Sequence, residues 1–139
     1  MITIINITRK MKVEKQLKHS RQRDLIRSIM KGRTDHPTAA VIYDEVRKVD
    51  GNVSFATVYR NLNLLVENGE LKRLTFDNED HFDPFLNEHH HFVCDKCKKI
   101  VDIESSNEFL KLYRKFSNKF AGDIRSFDLT LHGTCKTCL

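Results

Sequence analysis

All four cysteines of the chain fall in two pairs, Cys94-x-x-Cys97 and Cys135-x-x-Cys138. Each pair can form a tight knuckle that points two thiolates at one ion, and two knuckles separated by a long insert have the spacing of a tetrahedral four-cysteine zinc site. Two disulfides or four core thiols are the competing readings. The residues inside the pairs, Asp95-Lys96 and Lys136-Thr137, are polar and suit exposed turns better than a core. Such a zinc ion serves folding, because the protein fills every coordination position and leaves none open for catalysis.

A second chemistry stands next to the first pair, in His89, His90 and His91. On a strand, alternate residues share a face, so His89 and His91 point one way and His90 the other. Asp83 lies upstream, Asp102 lies on the strand that leaves the knuckle, and His36 could reach across from the first half of the chain. Three imidazoles and two carboxylates make a mixed nitrogen and oxygen site that suits Fe(II), Mn(II) or Zn(II) better than soft Cu(I). The alternative is a solvated histidine cluster with no fixed ligand. No Gly-rich nucleotide loop, G-x-S-x-G or H-E-x-x-H is present, and zinc would leave no cysteine for nucleophilic work. Nothing supports an enzyme.

The elements that must position these residues follow from periodicity. A short helix is expected over 11–18. Ser20 caps a second over 21–31, with Leu25, Ile26, Ile29 and Met30 on one face and Gly32 at its end. Pro37-Thr38 opens a third from Ala39 to about Lys48. Ser54 caps a fourth, on which Phe55, Val58, Leu62 and Leu65 share a face, and Asn68-Gly69 ends it. Glu70 to Phe76 and His81 to Asp83 read as strands joined by a loop over 77–80. Helices followed by a β-hairpin are in the order of a winged helix-turn-helix. Pro84 marks the expected boundary, giving a DNA-binding domain over 1–84 and a metal-binding domain over 85–139.

In the second domain, strands are expected over His89–Val93 and Ile100–Ile103. A helix from Asn107 to Ala121 follows, capped by Ser105 and Glu108 and ended by Gly122, and then a strand from Ile124 to Leu131. The fold class is therefore α+β: a winged helix followed by a small α/β domain with a four-cysteine zinc site.

The fourth helix suits a major groove. With Val58 and Leu62 inward, Ala56, Arg60 and Asn63 face outward, flanked by Thr57 and Tyr59. Arginine can pair with guanine edges and asparagine with adenine, and apolar atoms can touch thymine methyls. Lys72 and Arg73 in the wing, and the basic N-terminal helices with Arg21 and Arg23 among them, could hold phosphates. Charge points the same way. Of the 139 residues, the first 33 carry ten Lys/Arg against two acids, while the rest is net −3. A basic segment on a near-neutral body suggests a polyanion partner, although an ordinary solvated helical surface has the same composition. No apolar run spans a membrane and the start has no signal-peptide pattern, so a cytoplasmic location is expected, where CxxC pairs more often hold metal than disulfides.

Four stretches resemble the ferric uptake regulator family of metal-dependent repressors. They are His36-Pro37-Thr38-Ala39, Ser54-Phe55-Ala56-Thr57-Val58-Tyr59-Arg60-Asn61-Leu62, His89-His90-His91-Phe92-Val93-Cys94-Asp95-Lys96-Cys97, and Leu131-His132-Gly133-Thr134-Cys135 with Cys138. They run in family order over residues 20 to 138. The resemblance implies a homodimer joined by its C-terminal domains, bound to a palindromic operator. It implies structural Zn2+ at the four cysteines and regulatory Fe2+ or Mn2+ at His36, Asp83, His89, His91 and Asp102. It also puts Tyr59 and Arg60 in the recognition helix. Asp83 and Asp102 match the peroxide-sensing branch, whereas iron-sensing members more often use glutamates there. An iron- or zinc-uptake regulator of the same fold is the nearest alternative, and a zinc-scaffold adaptor or metal-storage protein that does not bind DNA is the alternative from another class.

The chain departs from the family pattern at three places. Arg21 stands where proline is usual. Phe127 replaces a histidine of an additional metal site, so that site is expected to be absent. Lys98 follows the knuckle where glycine is usual, which should strain the turn.

Overall fold

The computed structural model describes residues 20–120, 124 and 127–139. The expected helix over 11–18 lies outside them. Three helices come first: α1 (Arg21–Met30), α2 (Ala39–Val49) and α3 (Phe55–Glu67). Each begins where a short hydroxyl side chain accepts a backbone N–H left over by the first turn: Ser20 from Arg23, Thr38 from Val41, and Ser54 from Thr57. Helix α3 ends in a left-handed glycine, Gly69 at φ +72°. That turn lets Gly69 N–H reach Val66 O at 3.0 Å and Glu70 N–H reach Leu65 O at 2.8 Å, which satisfies two terminal carbonyls.

The helices close over one apolar core made by Ile26, Met30, Ile42, Val46, Val58, Leu62 and Leu65, which Leu71 and Phe82 extend into the hairpin. Phe55 is a correction to the expected inward face, being 45% exposed. It opens α3, where the first turn overhangs the core, and its ring lies against Tyr43 and Tyr59, 5.5 and 6.2 Å between centroids.

The wing is β1 (Lys72–Phe76) paired antiparallel with β2 (Glu79–Asp83). The expected four-residue loop shrinks to two residues, because Phe76 pairs with Glu79. Asp77 and Asn78 both take left-handed backbone, φ 51° and 63°, as a tight two-residue hairpin needs.

The remaining elements are β3 (His89–Cys94), β4 (Ile100–Glu104), α4 (Asn107–Ser117), β5 (Thr130–Gly133) and a 3-10 turn, Lys136–Cys138. The sheet order is β4-β3-β5, with β4 antiparallel and β5 parallel to the central β3. Helix α4 is capped by Ser106 rather than Ser105, without a side-chain bond to the helix backbone, and stops four residues before Ala121. Strand β5 starts at Thr130, six residues later than expected. Among the described residues, no helix is long and apolar enough to cross a membrane.

Candidate metal centres and nucleic-acid interface

Cys94 ends β3, and Cys135 lies two residues beyond the end of β5, so the parallel pairing of these strands brings the two knuckles together. The turn from Cys94 is closed by Lys98 N–H on Cys94 O at 2.8 Å, and the turn from Cys135 by Cys138 N–H on Cys135 O at 2.9 Å. All four Sγ atoms lie within 4.8 Å of one another and none is in a disulfide. Cys97 Sγ and Cys135 Sγ are 3.7 Å apart. Tetrahedral thiolates about 2.3 Å from a shared ion stand about 3.8 Å apart, so the spacing fits zinc. Backbone N–H groups of Cys97 and Cys135 pull the Cys94 thiol down to about 6, which favours the thiolate a metal requires. The expected strain at Lys98 is present as a left-handed φ of 61°.

The histidine and aspartate cluster forms on the same strand. His89 and His91 lie on one face of β3, and the register sets His91 opposite Asp102 on β4. The wing strand β2 ends in Asp83, and the segment before α2 brings His36. One donor atom from each of His36, Asp83, His89, His91 and Asp102 falls within the same 4.8 Å. From His36 Nε2, Asp102 Oδ1 is at 2.8 Å and Asp83 Oδ2 at 3.7 Å. His89 Nε2 is 2.8 Å from Asp83 Oδ2, and His91 Nε2 is 3.5 to 3.6 Å from the two carboxylates. Donors about 2.1 Å from one ion stand about 3 Å apart at right angles and about 4.2 Å across it, which is this range.

The donor chemistry agrees with the distances. His36 Nε2, His91 Nε2 and Asp102 Oδ1 are buried without a hydrogen bond, even though two of them are 2.8 Å apart. Atoms that aim at a common centre rather than at each other show this pattern. His89 Nδ1 donates to Asn87 O at 2.7 Å, which leaves Nε2 as the lone-pair donor toward the cluster. Asp83 is fully buried. Burial opposes its charge, but the imidazoles of His36 and His91 and the Phe85 N–H prevail and hold its carboxyl well below the usual range. For His36 burial also opposes the charged form, and Asp83 and Asp102 outweigh it, raising the imidazole above its ordinary value. With neutral imidazoles the cluster carries two negative charges, which a divalent cation would neutralise.

His90 faces the opposite side of β3, where Phe109 and Phe127 pack on its ring at 4.4 and 5.2 Å. Sequence reasoning missed His81, whose Nδ1 lies 2.8 Å from His36 O. A histidine two residues before a candidate ligand was the available signal.

On the candidate DNA face, Ala56 and Arg60 are exposed and Thr57 is half-buried. Tyr59 reaches Asp80 in the wing at 3.4 Å. Asn63 accepts a hydrogen bond from Arg73, so helix and wing share polar atoms. Lys72 Nζ donates to Asn87 O at 3.0 Å, and Arg21 is exposed. Arg23 is a correction. It is 6% exposed, and its Nε donates to Asn61 Oδ1 at 3.3 Å inside the helical unit. Asn61 in turn holds Thr57 O at 3.0 Å, so Arg23 braces α3 from within and cannot reach a phosphate.

These features define a class: a winged-helix transcription regulator whose helical part meets its second sheet at a donor set of metal-binding type. The chain belongs to the Ferric uptake regulator family, which it matches over residues 14–132. It is 34% identical over 106 residues to the peroxide-responsive repressor PerR of Staphylococcus aureus, covering 74% of this chain and 70% of that one. Among solved structures it is similar to the Helicobacter pylori ferric uptake regulator Fur, described as having three functional metal binding sites, at TM-score 0.80 and 27% identity, over 88% of this chain and 82% of that one. It is also similar to the Campylobacter jejuni peroxide stress regulator at TM-score 0.71 and 31% identity, over 84% and 88%.

Proposed function

We propose that the protein is a homodimeric, metal-dependent repressor that binds a palindromic operator and releases it in response to peroxide. One observation carries the reading: the five-residue cluster draws His36 and Asp83 from residues 1–84 and His89, His91 and Asp102 from residues 85–139. A cation there ties the DNA-reading part to the sheet. Any switch rests on the cation binding the tied arrangement more tightly than the open one. Zn2+ occupies the four thiolates and Fe2+ or Mn2+ the mixed cluster, by the preference of soft and hard donors.

Arg60, with Ala56, Thr57, Tyr59 and Asn63, reads base edges, and Arg21, Lys72 and Arg73 hold phosphates. The exposed Leu110, Phe116 and Phe120 on and just after α4 support a dimer formed through the second part of the chain. A two-fold dimer reads a two-fold operator. Fe2+, when bound, supplies one-electron reduction of peroxide. The chain supplies the imidazoles of His36 and His89 beside it as the groups to be oxidised. The aspartates at 83 and 102 and the likeness to a peroxide-responsive repressor support this signal over iron or zinc supply.

The test is a gel shift on operator-like duplexes with and without Mn(II), followed by peroxide treatment of Fe(II)-loaded protein and mass spectrometry. Metal-dependent binding and an oxygen mass gained on His36 or His89 are expected. Binding released by metal withdrawal alone, with unmodified histidines, replaces the reading with an uptake regulator. No metal-dependent binding replaces it with a zinc-scaffold protein.

A further inference from the structure

We propose that His81 is a positioning residue: it holds His36 in the backbone conformation that presents its ring to the cluster. This rests on the reading that the cluster holds a metal ion. His36 precedes Pro37, yet its φ is +49°, in the left-handed region. A residue before proline strongly prefers extended backbone, and a side chain there adds to the cost. Such a conformation persists only where its surroundings enforce it.

The ring does not enforce it. A metal-binding histidine ordinarily fixes its second nitrogen on an acceptor, as His89 does on Asn87 O. His36 Nδ1 is buried with no hydrogen-bond partner. The hold lies in the backbone instead. His36 O accepts from His81 Nδ1 at 2.8 Å. A carbonyl can only accept, so His81 carries its proton on Nδ1. The next carbonyl, Pro37 O, accepts from Phe82 N–H at 3.0 Å, and Thr38 bridges His81. The segment 36–38 is therefore laid along β2 as an extra edge. The Phe76 ring stands 6.1 Å from His81 and 6.4 Å from His91, so it packs between the two.

Strand β2 thus contributes twice to the cluster, directly through Asp83 and indirectly through His81 and His36. Without the bond to His81, His36 can relax to extended backbone and withdraw its ring. The other four donors keep their supports.

The experiment uses full-length, zinc-loaded protein and Mn(II) as the probe. Free Mn(II) is measured by electron paramagnetic resonance for wild type, His81→Leu, His81→Asn and His81→Gln. The Asn amide nitrogen falls where Nδ1 was, whereas that of Gln falls near Nε2. Expected is about a tenfold weaker Mn(II) affinity in the Leu and Gln variants, recovery toward wild type in the Asn variant, and unchanged zinc content. Equal affinities in all four proteins overturn the proposal. So does an Asn variant no better than Gln, or loss of zinc and fold in every variant, which would make His81 a folding residue. Wild type that binds no Mn(II), with His36→Ala the same, defeats the metal reading instead.

Discussion

Arg23 and Arg60 carry the same charge and have opposite roles. Arg23 is buried on Asn61, and Arg60 stands free on the outer face of α3. Arg23→Ala would leave Asn61 Oδ1 short of a donor inside the helical unit, a loss of about 1–3 kcal/mol. Urea unfolding should show it. Arg60→Ala should leave the urea midpoint unchanged and weaken DNA binding, read by fluorescence anisotropy. The sequence gives residue charge but not burial, because Asn61 lies 38 positions from Arg23. The candidate ligands were easier to read. His89 and His91 announce themselves by alternation on one strand, whereas His36 and Asp83 join them only through the fold: they were candidates from their residue types, and the family resemblance implied their role as ligands. The place of His81 two residues before Asp83 was its one signal, and its role stayed hidden because its partner is a backbone carbonyl.

Among elements, the turns carry the predictions. Lys98 sits in the left-handed turn of the first knuckle and pairs with Asp77 at the wing tip, 2.6 Å away and largely exposed. Exposed pairs contribute little, whereas left-handed backbone disfavours lysine and suits glycine. Relief of strain should win, so Lys98→Gly is expected to raise the thermal midpoint of zinc-loaded protein and reduce its salt sensitivity. A lower midpoint at high salt would contradict this.

Helix α1 is tied to the approach to β1 by Arg27, whose guanidinium reaches both Glu70 oxygens at 2.6 and 2.9 Å. The Arg27 hydrogen bond leads in lowering the Glu70 pKa. A lowered carboxylate pKa stabilises the fold above the unfolded value of about 4.3, and that contribution fades as pH falls through the folded value. Glu70→Gln should therefore be slightly less stable than wild type at neutral pH and equal to it in strong acid, as followed by urea unfolding.

Helix starts were legible because Ser20, Thr38 and Ser54 are short acceptors ahead of apolar periodicity. The ends of α4 and β5 were less so. Helix α4 buries no residue fully, and Phe120 beyond it is 63% exposed, so packing within the chain does not fix the limits that periodicity suggested.

At the scale of the molecule, two donor clusters share β3 and have different tasks. Cys94 and Cys135 tie β3 to β5, so stripping zinc should unfold the second sheet, with loss of its amide-exchange protection, while α1–α3 keep theirs. Removing only the cation of the mixed cluster should leave both protected and loosen their mutual placement. By the proposed function, this cluster couples metal to DNA reading. The direct measurement is the affinity of zinc-loaded protein for a duplex selected from a random pool, titrated with Mn(II), for wild type and His89→Ala. Mn(II) is expected to strengthen wild-type binding about tenfold or more and to leave His89→Ala unaffected. Metal-independent wild-type binding, or the same Mn(II) response in His89→Ala, would contradict it.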